Sequence, residues 1–303
     1  MKRTEMQDFV LSAEIGEAVA KAPVIRLSKT ETEQIKQRLN KRERMLLRSA
    51  PHLAYDFELF CTLKKFCDTL NLFSRADDAF LTALFRNAKK YSVQEFYSNP
   101  FLLTITAPTA IVGRFLLTNA TYEAGEIFQY AEPDFYTEPL VPKLAFCTGQ
   151  VRFPAVYEDE MPWMSICPSE VTSIAPCLPQ AHGKVLVLGL GLGYYPFMIA
   201  RKQSVSEITI VELQPEVIRL FTQYLLPQFP HAEKIRLVQA DALHYLSHVK
   251  DGDFDCCFAD VWENQLDGAE FYLQIKPYEQ KLPHTQFSYW IEKEIQYYLS
   301  DVE

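Results

Sequence analysis

The chain has 303 residues, 48% hydrophobic and 23% charged, which suits a globular protein with a sizeable core and about two domains. Its net charge of −9 argues against a nucleic-acid partner, because phosphate contact needs a basic face. No apolar run approaches the ~20 residues of a membrane span, and the N-terminal MKRTEMQDFV carries acids where a secretory signal has its apolar segment. A cytoplasmic protein away from the membrane is therefore expected. Seven cysteines without CxxC spacing predict reduced, mostly buried thiols. Adjacent Cys256 and Cys257 lie in a strand-like run, where they should face opposite ways.

Residues 1–100 read as a helical domain. Thr30 suits the cap of a helix through Leu47, with Glu33 three residues on as a capping box. Lys36, Arg38, Lys41, Arg42, Arg44 and Arg48 on that helix are a basic patch for RNA or an acidic partner, or a solvated face. The interleaved Glu31, Glu33 and Glu43 favour the solvated face. Phe60, Leu63, Cys67 and Leu70 follow the spacing of a buried helical stripe. A further helix is predicted from Asp77 to Lys90, with Phe80, Leu81, Leu84 and Phe85 on its apolar side.

From about 101 to 160 the texture turns to short β runs. Leu102 to Thr106 and Arg114 to Thr118 read as strands. Tyr122 to Tyr130 reads as a hairpin around Ala124 and Gly125, and LAFCTGQVRF (144–153) as two arms around Thr148-Gly149. A small antiparallel sheet is expected. Pro168 to Leu178 reads as a helix with Ser169 as a candidate cap.

Residues 161–303 read as the main α/β domain. The stretch KVLVLGLGLGYYPFMIARKQSVSEITIVE runs strand, glycine turn, helix, strand and terminal carboxylate. A parallel strand buried on both faces reads as a solid apolar run, and glycines allow a tight turn and a close backbone approach. The acid at the end of the second strand, Glu212, is spaced to take ribose hydroxyls. Gly189, Gly191 and Gly193 depart from the dinucleotide spacing G-x-G-x-x-G, since Tyr194 stands where the last glycine would. A third strand, Ile235 to Val238, leads to Asp241 and Ala242. Asp241 serves equally as the N-cap of the next helix. His244 and His248 stand at i, i+4, but with no third ligand they predict no metal site. A fourth strand, Phe254 to Phe258, ends at Asp260, with Trp262 and Glu263 just beyond. Asp260 is a candidate general base or amine holder, and loop capping explains it as well. Trp262 walls a pocket or only packs. The last residues, Phe271 to Ile275 and Phe287 to Leu299, read as helices.

The G-x-G-x-G loop resembles the S-adenosylmethionine-binding loop of class I methyltransferases. Residues from about 140 to 264 resemble the spermidine synthase branch of that fold. The likeness lies in the segment LAFCTGQVRFPAVYEDEMPWMSI, a linking helix, GKVLVLGLGLG, IVE, QADA and FADVWEN. It implies an S-adenosylmethionine cofactor at Gly189, Gly191 and Gly193, with Glu212 and Asp241 on the nucleoside and the Ala242 amide on the base. It also implies that Asp260 is the first acid of an amine-handling D-x-x-D motif, with Glu263 at the second. Three positions depart. Aminopropyltransferases carry an aspartate where this chain has Leu192. Many methyltransferases carry an acid where it has Val187. The family's tyrosine and histidine on the linking helix are not evident in MPWMSICPSEV.

The fold expected is a Rossmann-like α/β sheet of about four parallel strands, order 3-2-1-4, with the fourth at an edge. The C-terminal helices, the helical domain or the second subunit of a homodimer would cover that edge. The function expected is S-adenosylmethionine-dependent methyl transfer to a small-molecule acceptor, with Asp260 and Glu263 catalytic. Aminopropyl transfer to a polyamine and a non-catalytic nucleoside-binding scaffold are the two rival readings.

Overall fold

The computed structural model describes the backbone of residues 3–302 and the side chains of residues 7–300. The chain divides into two compact units, residues 1–97 with 121–151, and residues 98–120 with 152–303. Among the described residues the strands are β1 (Lys89–Tyr91), β2 (Ala110–Val112), β3 (Phe115–Tyr122), β4 (Ile127–Ala131), β5 (Lys143–Cys147), β6 (Val151–Glu158), β7 (Met161–Ser165), β8 (Gly183–Leu188), β9 (Val205–Glu212), β10 (Ile235–Gln239), β11 (Cys256–Ala259) and β12 (Gln286–Tyr289). No helix among the described residues is long and apolar enough to cross a membrane. All seven cysteines are buried and free.

The first unit is mainly helical around one cluster that includes Leu46, Phe60, Phe66, Phe80 and Phe85. The expected helix from Thr30 to Leu47 is two helices, Lys29–Arg38 and Lys41–Ser49. Ser28 caps the first with Glu31, and Asn40 caps the second with Glu43. The segment holds two separate capping boxes, and Asn40 ends one helix by starting another. Arg42 bonds Asp78 and the carbonyls of Phe73 and Ala76, so part of the basic face ties helices together. The apolar stripe 60–67 lies on helix Phe57–Thr69, and Asp77 caps helix Asp78–Asn87.

The strand expected at Leu102–Thr106 is helix Pro100–Thr104. Asn99 accepts the Phe101 amide and Pro100 sits at the first helical position, a start signal stronger than the β-like composition. Neither expected hairpin pairs with itself. β3 and β6 belong to a four-stranded sheet, order β2-β3-β6-β7, while β4 and β5 belong to a three-stranded sheet, order β1-β5-β4. The turns between them are crossings from one sheet to the other. Cys167, not Ser169, is the N-cap of helix Pro168–Ile174, because proline takes the first helical position and puts the cap on the residue before it.

The second unit is built on a five-stranded sheet, order β10-β9-β8-β11-β12, and every adjacent pair is parallel. The order 3-2-1-4 is therefore present with one strand more. The segment read as a helix from Phe287 is β12 followed by helix Glu292–Val302. The strand β12, not a helix or a second subunit, covers the edge of β11. Side chains alternate between two cores. Val185, Val187, Ile208, Ile210, Cys256 and Phe258 enter one cluster. Leu186, Leu188, Val211, Cys257, Ala259 and Tyr289 enter the other. Cys256 and Cys257 do face opposite ways, as a period of two requires.

Candidate functional site

Strand order reverses between β8 and β11. In open parallel sheets the ligand crevice lies outside the carboxyl ends of the strands at that reversal. The residues there are Gly189–Gly193 after β8 and Asp260 after β11. The Asp260 amide donates to the Leu188 carbonyl at 2.9 Å, which holds the two strand ends together.

Protein atoms fill the space where a Cβ would stand at each glycine of the loop. Gly189 has φ +93°, and a Cβ there would lie 1.9 Å from the Asp260 carbonyl oxygen. At Gly191 it would lie 2.2 Å from the Met164 Sδ, and at Gly193 2.5 Å from the Phe221 ring. Any side chain at these positions would collide, which is why the sequence has glycine at each. The loop amides are also largely engaged. Gly189 N–H donates to the Val211 carbonyl and Gly193 N–H to the Leu190 carbonyl. Leu190 N–H donates to Glu212 Oε2 at 3.0 Å, and Leu192 N–H to Met164 Sδ at 3.2 Å. A loop engaged in this way, with a carboxylate beneath it, is no cradle for a pyrophosphate.

Glu212 is 7% exposed. Its other oxygen accepts the Gln214 amide at 2.7 Å. Burial raises its pKa above the ordinary carboxyl value, and backbone hydrogen bonds pull it part of the way back. Each carboxylate oxygen has two acceptor sites, and the Leu213 amide also bonds this carboxylate, so one acceptor site remains for a hydroxyl donor. Asp260 retains partial solvent contact. Its pKa is raised well above the ordinary value, first by burial, then by the negative charges of Glu170 and Glu212. Three carboxyls therefore share one field. A cation entering it would relieve that repulsion.

The remaining expected residues make other contacts. Asp241 is exposed and caps helix Ala242–Leu246, accepting the His244 amide at 2.7 Å. Its strand β10 is adjacent to β9, and the Ala240 amide donates to the Glu212 carbonyl at 3.1 Å, so the backbone before Asp241 and Ala242 adjoins the site. Glu263 is exposed, and its amide donates to Asp267. His244 and His248 are exposed. Trp262 is 6% exposed and packs on Gly268 in the second core. Its indole nitrogen is buried without a hydrogen-bond partner.

Sequence reasoning missed the other wall. Met164 comes from β7 and Glu170 from helix Pro168–Ile174. Ser173 on that helix accepts the Trp290 indole N–H at 2.8 Å, and the Trp290 amide donates to the Ala259 carbonyl. The residue after β12 thus fixes the linking helix against the sheet. Glu170 lay in plain view as the acid nearest that helix's start, but no local pattern tied it to Asp260.

Residues 165–280 match the family model described as the spermine/spermidine synthase domain. The expectation of a methyltransferase is corrected by that match, which favours the aminopropyl-transfer reading. No curated protein matched the chain. Among solved structures, the spermidine synthase of Thermotoga maritima is 18% identical over 46% of this chain and 53% of its own, with a TM-score of 0.34. A spermidine synthase in complex with the transition state analogue AdoDATO is 17% identical over 46% of this chain and 52% of its own, with a TM-score of 0.33. A precorrin 8w decarboxylase of Methanobacterium thermoautotrophicum is 20% identical over 44% and 70%, with a TM-score of 0.31. The chain thus spans about half the length of these two spermidine synthases. Its parallel sheet, strand order and glycine loop are those of a Rossmann-like methyltransferase-type fold, close to the spermidine synthase branch.

Proposed function

We propose that the second unit transfers an aminopropyl group from decarboxylated S-adenosylmethionine to a small amine. The observation that carries this reading is the family match over residues 165–280, together with the field shared by Glu170, Glu212 and Asp260. A sulfonium and an ammonium are both cations, and both suit that field. Decarboxylated S-adenosylmethionine supplies a carbon made electrophilic by its sulfonium. Glu212 accepts a ribose hydroxyl, and the Gly189–Gly193 loop carries the arm between sulfur and amine. Asp260 takes the proton that the acceptor ammonium must lose before its nitrogen attacks. The new C–N bond forms as the C–S bond breaks, and its electron pair stays on sulfur as a neutral thioether. A raised carboxyl pKa makes Asp260 a better base for this task. Buried, reduced cysteines suit the cytoplasmic setting in which such a substrate would be met.

The test incubates the protein with putrescine and decarboxylated S-adenosylmethionine and follows spermidine and methylthioadenosine by mass spectrometry. Formation of both in equal amounts is expected. Loss of neither substrate under any amine acceptor would sink the proposal. A second reading, nucleoside binding without turnover, has one observation in its favour: the loop amides already find partners within the chain. Methylthioadenosine binding without product formation would decide for it.

A further inference from the structure

We propose that Met164 sets the selectivity of this site, excluding S-adenosyl compounds that carry an α-carboxylate. The inference rests on the nucleoside-binding reading above. A ligand arm running along the loop meets Gly191, where the Met164 sulfur fills the notch that a Cβ would otherwise occupy. The same sulfur takes the Leu192 amide at 3.2 Å. Thioether sulfur is a weak acceptor, so this amide is the one loop donor held by a poor partner. A carboxylate would take it with a charge-assisted bond about twice as strong, were the notch open. Leu192 is 1% exposed and Leu190 5%, so both side chains are turned into the core. Glu212 lies beneath the loop and repels a second anion. The arm beside Gly191 therefore meets a soft apolar group and a negative charge, which accept an aminopropyl chain and reject a carboxylated one. The position that carries an aspartate in aminopropyltransferases is leucine here, and selection passes to a side chain from β7.

The experiment measures dissociation constants for decarboxylated S-adenosylhomocysteine and S-adenosylhomocysteine, which differ only in the α-carboxylate. Wild type is expected to favour the decarboxylated compound. Met164→Ala opens the notch and frees the Leu192 amide, so the ratio of the two constants should move about tenfold toward S-adenosylhomocysteine. Met164→Leu keeps the bulk over Gly191 and should keep the wild-type ratio. Met164→Thr, a β-branched residue suited to a strand, shortens the side chain where alanine unfolds the protein. A merely structural Met164 would weaken both ligands together and leave the ratio fixed, and that outcome overturns the inference while the nucleoside reading stands. Binding of neither compound to any form overturns both.

Discussion

Asp260 carries the sharpest consequence of burial at the residue scale. Its folded pKa lies above the unfolded value, so the folded state keeps the proton longer. Stability from this group is present at acid pH and is lost as pH rises from the ordinary carboxyl range through the raised value. Asp260→Asn removes the charge that must be buried. The variant is expected to gain stability at pH 7 relative to wild type, with the gain absent near pH 4. Thermal melts across that range check it, and a flat difference would refute it. The same variant should lose transfer activity by about a hundredfold or more, because the proton acceptor is gone. Glu212 behaves in the opposite sense on removal. Glu212→Ala leaves the Leu190 and Gln214 amides without their acceptor, a loss of about 2 kcal/mol. A lower urea midpoint with an unchanged slope is the expected readout. Glu212 was legible from its place at the end of an apolar run. The mutual influence of Glu170 and Asp260 was not, because no local pattern relates residues ninety positions apart.

The glycine loop is the element that the sequence made most legible, and its packing was the least legible part. The strand, turn, helix and strand all follow from apolar runs and glycine spacing. The groups that fill the turn come from β7 and from the rings of Phe221 and Phe229, which lie far off in the chain. Gly191→Ala should therefore destabilise by about 2 kcal/mol or more, through its left-handed backbone and the collision with Met164. Met164→Ala in the same chain should recover part of that loss, because only the collision is relieved. A double-mutant cycle in guanidinium reads the coupling, and additive losses would show that Met164 does not constrain the loop. The misread elements fail for related reasons. Leu102–Thr106 has strand-like composition, but the Asn99-Pro100 start signal and the packing of Phe101 on Phe197 at 5.1 Å make it helical. A turn signal in the sequence predicts a hairpin, but partner choice between two sheets cannot be seen in a turn.

At the scale of the whole molecule, the second unit depends on β12 and on Trp290 just after it. Four residues pair along β11, and Trp290 then ties back to Ser173. The segment looked helical because Phe287 to Leu299 has helical spacing over most of its length, and four residues are too few to show a period of two. Removing residues 283–303 would bare the apolar strand Cys256–Ala259. Exposed edges of that kind pair with other chains, so the truncated protein should elute as large aggregates in gel filtration. A monodisperse, folded monomer would contradict this. The parallel order also has a consequence in time. A ribosome delivers the amino-terminal strands of the sheet first, yet β11 waits for its outer neighbour until some thirty further residues have left the tunnel. The nascent crevice is therefore unfinished for most of translation, with Asp260 just beyond a strand that still lacks one flank. Synthesis speed over that last stretch, or a chaperone that shields it, would govern how much competent protein each message yields.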